Sequence, residues 1–367
     1  MLKLPGRGKE VKKPVRLFSS YKNLFHSIRS SVAIRKDIKT EVSSDMKIDN
    51  RLVSSIKLSG VEKGFGKNVV LKNLNFEIPR GKIFGIIGVS GSGKTTLLRL
   101  IVGYYRPNKG QVIFNDKEVW RQNIALAKHF GFASQENAFY DNLTAAENVR
   151  FFGNLYGLMG GYLYSRVENA LMVVGLNEYK DILAKNLSGG MKRRLDVACA
   201  IVNEPSILIL DEPTEDLDPI LRKEILNLIK KINVMGTTVI FTTHLLDEAE
   251  FLCDHVAILC NQTVLTIGAP DELKKRYKRG EEIHILLEDK KRYGHYLKSI
   301  GDGKTRIVND RLVVYVPENK RATKVLRKIL SNIEKNRDKV IYVDIRKPTL
   351  SEIFTHLIEN AEENKKK

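Results

Sequence analysis

The chain has 367 residues, 43% of them hydrophobic, which is too long for most single domains and too apolar for a chain that stays unfolded. Its formal charge of +19, from 62 Lys and Arg against 43 Asp and Glu, favours anionic partners such as nucleotides, nucleic acid or acidic lipid headgroups; a role in solubility alone fits as well. The three cysteines, Cys199, Cys253 and Cys260, form no C-x-x-C pair, so they support neither a disulfide framework nor a zinc site and read as idle thiols in a reducing cytosol.

Residues 1–54 stand apart, with thirteen basic residues against five acidic. Leu17, Phe18, Tyr21, Leu24, Phe25, Ile28 and Val32 recur at helical spacing, with Lys22, Arg29 and Arg35 among or just beyond them, the pattern of a basic amphipathic helix. Such a helix docks on a membrane surface or a partner, or it packs on the protein's own body; the sequence favours neither. No signal-peptide pattern is present, and no run approaches the roughly 18–20 apolar residues that span a bilayer, so any membrane span is expected from another polypeptide.

From about Val53 the pattern turns to strand and helix in alternation. Short apolar runs at Ile83–Ile87, Ser206–Leu210 and Thr238–Phe241 read as buried parallel strands, with helices expected at Lys94–Val102 and Pro219–Ile232. This predicts a layered α/β domain over about 55–275, with a mostly helical insert near 138–187. Beyond Gly280 the expected order is strand 283–288, helix 291–300, strand 304–309, strand 311–316, helix 319–335 and strand 340–346. Asn309-Asp310 falls at the hairpin, and the βαββαβ order suggests a small ferredoxin-like module over 281–357. Thr349 and Glu352 have capping-box spacing before a last helix, and residues 358–367 form a charged tail.

Two stretches carry chemistry. Gly88-Val89-Ser90-Gly91-Ser92-Gly93-Lys94-Thr95 fits G-x-x-x-x-G-K-[ST], between an expected strand and an expected helix. Its glycines let successive N–H groups surround phosphate oxygens, and the helix adds its positive end. Phosphate contacts are expected from Gly88, Ser90, Gly91, Ser92, Gly93, Lys94, Thr95 and Thr96, with Lys94 reaching the β- and γ-phosphates and Thr95 on Mg²⁺. The apolar run Ile207–Leu210 ends in Asp211-Glu212, carboxylates that would emerge where open α/β sheets bind ligands. Asp211 would hold Mg²⁺, and Glu212 would act as general base on the attacking water.

Together with further motifs these residues resemble the ABC ATPases, a likeness covering about 55–275. Leu187-Ser188-Gly189-Gly190 looks like the family signature, Gln135 sits where the Q-loop falls, Leu217-Asp218 resembles the D-loop, and His244 resembles the switch histidine. Phe65 stands where an aromatic residue stacks on adenine. The resemblance implies a P-loop cassette with a central, mostly parallel sheet, an antiparallel edge and a helical insert. It implies ATP and Mg²⁺ as cofactors, with Gln135 sensing the metal and His244 contacting the γ-phosphate. Ser188, Gly189 and Gly190 would face the nucleotide of a second cassette, and Asp218 would communicate across that dimer. A separate permease is expected to touch the insert near Gln135 and Ala138–Val149.

Leu187–Leu195 (LSGGMKRRL) and Lys347–Phe354 (KPTLSEIF) are similar to drug, lipid and sodium exporter ATPases whose permease is a separate chain. The expected place of work is the cytoplasmic face of the membrane, as a peripheral protein. Two departures stand out: Glu215 and Asp216 occupy the D-loop where a small residue is usual at 216, and the extension 1–54 has no counterpart. The two acids would alter contacts across the dimer or merely face solvent, and the solvent reading is preferred. The alternative function is a soluble ABC ATPase acting on ribosomes or nucleic acid. Such proteins usually carry two cassettes per chain, whereas one P-loop and one signature are present here. The basic residues of 1–54 also lack an aromatic stacking platform, so nucleic acid is not the expected partner.

Overall fold

The computed structural model describes residues 56–277, 280–294, 296, 305–308, 310–317, 320–346, 349–355 and 357–358. The amphipathic stretch expected at 17–35 and nearly all of the charged tail lie outside them. The described chain forms two compact units: one holds the residues through Gly81 with Thr95–Ile240, the other Lys82–Lys94 with the residues from Phe241 onward.

In the first unit, β1 (Ile56–Phe65) pairs antiparallel with β2 (Asn68–Ile78) and with β4 (Lys109–Phe114), and β5 (Lys117–Glu118) completes a sheet of order β2-β1-β4-β5. β6 (Phe130–Ala133) runs parallel to β7 (Ile207–Leu210). All four residues of β7 are buried, which is why its sequence is an unbroken aliphatic run. The helices are α1 (Lys94–Ile101), α2 (Asn123–Leu126), α3 (Ala145–Leu155), α4 (Gly160–Val174), α5 (Gly189–Ile201) and α6 (Pro219–Val234). α3 and α4, with short 3-10 turns after them, make the insert helical as expected. A capping box opens α3: Glu147 N–H donates to Thr144 Oγ1 (3.2 Å) and Thr144 N–H to Glu147 Oε2 (2.8 Å).

In the second unit, β3 (Ile83–Ile87), buried at every position, runs parallel to β9 (His255–Cys260), and β10 (Thr263–Gly268) is antiparallel to β9. β8 (Thr238–Thr243), which crosses from the first unit to the second, is two residues longer than its apolar core because Thr242 and Thr243 are also buried. α7 (Leu246–Leu252) and α8 (Pro270–Tyr277) follow β8 and β10.

The C-terminal strands β11 (Gly280–Leu287), β12 (Thr305–Val308), β13 (Arg311–Pro317) and β14 (Val340–Arg346) form an antiparallel sheet of order β12-β13-β11-β14, the arrangement a βαββαβ chain makes. Asp310 takes φ +59° at the hairpin; Asn309 lies outside the described residues. α9 (Ala322–Lys335) starts three residues later than its apolar spacing predicts. Lys320 N–H closes a turn on Pro317 O (2.9 Å), and Arg321 is the N-cap. The module's core sets Ile283, Ile285 and Leu287 against Ile329 and Ile333. Thr349 Oγ1 accepts from Glu352 N–H (3.3 Å), the expected cap of the last helix, and Leu350 buries against Ile87, Ala249, Val256 and Leu273.

Candidate functional site

The phosphate loop leaves β3 and enters α1. Gly91 and Gly93 take φ of +78° and +103°, a region where a Cβ is costly. A Cβ on Gly88 would lie 2.5 Å from Ser92 Oγ and 2.6 Å from Leu259 O, so only glycine fits there. Lys94 is 5% exposed, and its ammonium donates to Gly88 O (3.0 Å) and Val89 O (3.3 Å), so the loop is wound around it. Val89, Ser90 and Gly91 form the exposed rim, while Ser92, Gly93, Thr95 and Thr96 are half-buried. Ser92 Oγ is buried without a hydrogen-bond partner among the described residues. No acidic residue stands in the first turn of α1. A positive loop with an orphaned hydroxyl before an acid-free helix start fits a polyphosphate.

In the first unit, the β6–β7 pairing aligns Ala133 with Leu210, and Asp211 N–H extends the ladder to Ala133 O (2.9 Å). Gln135 and Asp211-Glu212 therefore leave the sheet at the same edge. Asp211 is buried, whereas Glu212 is half-buried in a left-handed backbone (φ +46°). That conformation costs a non-glycine residue on the order of 1 kcal/mol or more. Gln135 is exposed, and its Nε2 donates to the Glu215 carboxylate. Glu215 is half-buried, so its carboxylate meets the Q-loop through this bond as well as solvent. Asp216 is exposed at φ +59°.

Ser188 is the N-cap of α5, its Oγ accepting from Met191 N–H (3.3 Å), and Ser188 and Gly189 are exposed. A Cβ on Gly190 would meet Leu221 Cδ2 at 2.8 Å, whereas one on Gly189 meets nothing within 4 Å. The second glycine thus packs against α6, where a side chain would have to displace Leu221, and the first faces open space. Asp218 caps α6, accepting from Ile220 N–H (2.9 Å) and Leu221 N–H (3.0 Å) ahead of Pro219. Phe65, 45% exposed, is braced edge-on by Tyr105 at 5.2 Å, with Lys63 Nζ 4.9 Å from its ring centre. In the second unit, exposed His244 follows Thr243, whose Oγ1 donates to Glu248 Oε2 (2.9 Å) and accepts from Leu245 N–H (2.9 Å), fixing the turn around the histidine.

Sequence reading missed Tyr105, Arg193 and Asp196. For the last two a signal exists: opposite charges three apart on a helix whose remaining inward residues are apolar. Burial pushes the Asp196 carboxyl up to about 7, against the lowering influence of the Ala138 N–H and the Arg193 charge. Cys199 is buried and Cys253 half-buried, and desolvation is the chief cause that pushes both thiols up.

A family model described as ABC transporter matches residues 71–215. The daunorubicin resistance ATP-binding protein DrrA3 of Streptomyces coeruleorubidus is 31% identical over 304 residues, covering 83% of this chain and 96% of that one. The methionine import ATP-binding protein MetN of Clostridioides difficile is 39% identical over 230 residues, covering 61% of this chain and 72% of that one. Among solved structures, cbiO1 from Clostridium perfringens, part of the ABC transporter complex cbiONQ, superposes with a TM-score of 0.57 at 31% identity, covering 60% of this chain and 90% of that one.

Proposed function

Because the chain belongs to the ABC transporter family, as one of its ATP-binding and ATP-hydrolysing subunits, we propose that it drives export through a separate transmembrane permease, working at the cytoplasmic face of the membrane as a pair of copies. The observation that carries export is the likeness to the Nod factor export ATP-binding protein I of Bradyrhizobium diazoefficiens, 35% identical over 219 residues and covering 60% of this chain and 72% of that one. The cassette corresponds to 55–275 and the accessory module to 281–357. The basic extension 1–54 adds attraction to acidic lipid headgroups.

In this reading Phe65, held by Tyr105, stacks on adenine. The N–H groups from Gly88 to Thr96 surround the phosphates, and Lys94 turns its ammonium from the loop carbonyls to the β- and γ-phosphate oxygens. The Thr95 hydroxyl, the Gln135 amide oxygen and the Asp211 carboxylate are hard oxygen donors that suit Mg²⁺, and the bond from the Gln135 amide nitrogen to Glu215 leaves its oxygen available for that role. That ion, when bound, neutralises phosphate charge. Glu212 takes the proton of the attacking water, and His244 donates to the γ-phosphate. Ser188, Gly189 and Gly190 close on the nucleotide of the second copy, and Asp218 lies at that junction.

Mild cross-linking in native membranes followed by purification of this chain tests the proposal. A polytopic membrane protein that survives a high-salt wash is expected. Ribosomes or nucleic acid in its place would overturn the transport reading and leave the ATPase site intact.

A further inference from the structure

Arg193 lies one turn into α5 and is 7% exposed. Its guanidinium is spent on backbone. Nε donates to Pro213 O (2.8 Å), Nη1 to Ser134 O (2.7 Å) and Gln135 O (3.4 Å), and Nη2 to Asp211 O (3.1 Å) and Glu212 O (2.8 Å). Two of these acceptors belong to the loop after β6 and three to the turn after β7. The neighbouring Asp196, whose Oδ2 is 3.8 Å from Arg193 Nη1, accepts from Ala138 N–H (2.9 Å) further along the first loop. One face of the signature helix therefore grips both loops that carry the proposed metal and water ligands.

The grip has a specific burden to hold. Glu212 sits at φ +46°, and such a backbone persists only where its surroundings over-determine it. Arg193 supplies bonds to the carbonyls of Asp211, Glu212 and Pro213, bracketing the strained residue on both sides. A planar fork with five N–H groups can meet this many acceptors at fixed angles; a lysine ammonium carries the charge but has three donors on one atom.

We propose that Arg193 is a positioning residue for ATP hydrolysis: it locks the Gln135 loop and the Asp211–Glu212 turn to the first turns of α5, so that the base, the metal-facing amide and the signature Ser188 move as one body. This rests on the assignment of Glu212 as the base and of Ser188 to the partner's nucleotide. The lock acts on the geometry of the water, not on nucleotide affinity, which comes from Phe65, the phosphate loop and Lys94. Its loss therefore separates turnover from binding.

The test uses full-length Arg193→Lys and Arg193→Ala, assayed well below their own melting temperatures for steady-state ATP hydrolysis and for equilibrium binding of a fluorescent ATP analogue. Misplacing a catalytic group by about 1 Å costs up to ~100-fold in rate, so kcat is expected to fall ~10–100-fold while KM and analogue affinity stay within about threefold of the parent. Arg193→Lys, which keeps the charge, is expected to recover only part of the Arg193→Ala loss. Parent-like kcat in folded Arg193→Lys would overturn the proposal. So would a parallel fall in binding and turnover, or failure of both variants to fold, since Arg193 would then be a general structural residue. Glu212→Gln is run beside them: parent-like turnover there removes the base assignment, while the Arg193 variants still report on their own.

Discussion

The strands that carry the chemistry and the strands of the C-terminal sheet solve the burial problem in opposite ways. β3 and β7 are buried at every position and carry no polar side chain. The polar groups come in the turn after each strand, the phosphate loop after β3 and Asp211-Glu212 after β7. β11 alternates instead: Ile283, Ile285 and Leu287 enter the core. Its polar residues are used mid-strand, Glu282 meeting His284 (3.2 Å) and Arg306 (3.0 Å) in a partly buried polar cluster. The lesson is that uniform burial leaves ligand-binding groups to the turn that follows a strand, whereas alternation spreads polar groups into pairs that tie neighbouring residues together.

Three changes would break or sharpen that contrast. The largest effect belongs to Glu212→Gln at the end of β7: ATP hydrolysis should drop by ~10²–10⁴-fold with nucleotide binding retained, the range general-base removal gives. Light scattering with ATP should show a dimer accumulating; turnover like the parent's would remove the strand-end residue from the chemistry. Next is Ile333→Ala, in the core beneath the alternating sheet, where Ile333 is 1% exposed. A loss of about 2–5 kcal/mol in that module's unfolding free energy is expected, read by urea titration with circular dichroism. KM for ATP should match the parent in the folded baseline, and a large change in it would tie the two kinds of strand together.

The smallest effect is the pH response of Asp196. Its carboxyl is raised to about 7 by burial, so the folded protein holds this proton more tightly than the unfolded chain does. Stability contributed by this site therefore falls as pH rises from the ordinary carboxylate range to about 7 and is level above it, a loss of at most about 4 kcal/mol. Asp196→Asn should flatten that part of the profile while its amide oxygen still accepts from Ala138 N–H. A profile unchanged by the substitution would show that Asp196 does not titrate in this window.

Much of the site was legible because its parts are contiguous. Eight residues from Gly88 to Thr95 carry their own instructions, and β3, β7 and their following helices were readable from apolar runs and periodicity. The Thr144–Glu147 box had a plain sequence signal that went unread. Glu215 carries no local signal of a partner, since an acid in a turn usually faces water. Its bond to Gln135 spans 80 residues of sequence, a distance at which local reasoning has no purchase.

By itself the sequence determined the α/β class, the phosphate loop, the acidic strand end and the order of the motifs, since backbone conformation and burial period are local properties of consecutive residues. Tertiary structure alone decided which groups hold those motifs in register: Arg193 on carbonyls up to 59 residues away, Tyr105 against Phe65, Asp218 spent on a helix cap. Buried donors must find acceptors wherever packing brings them. The partner is chosen by how helices and strands stack, which no short stretch of chain records.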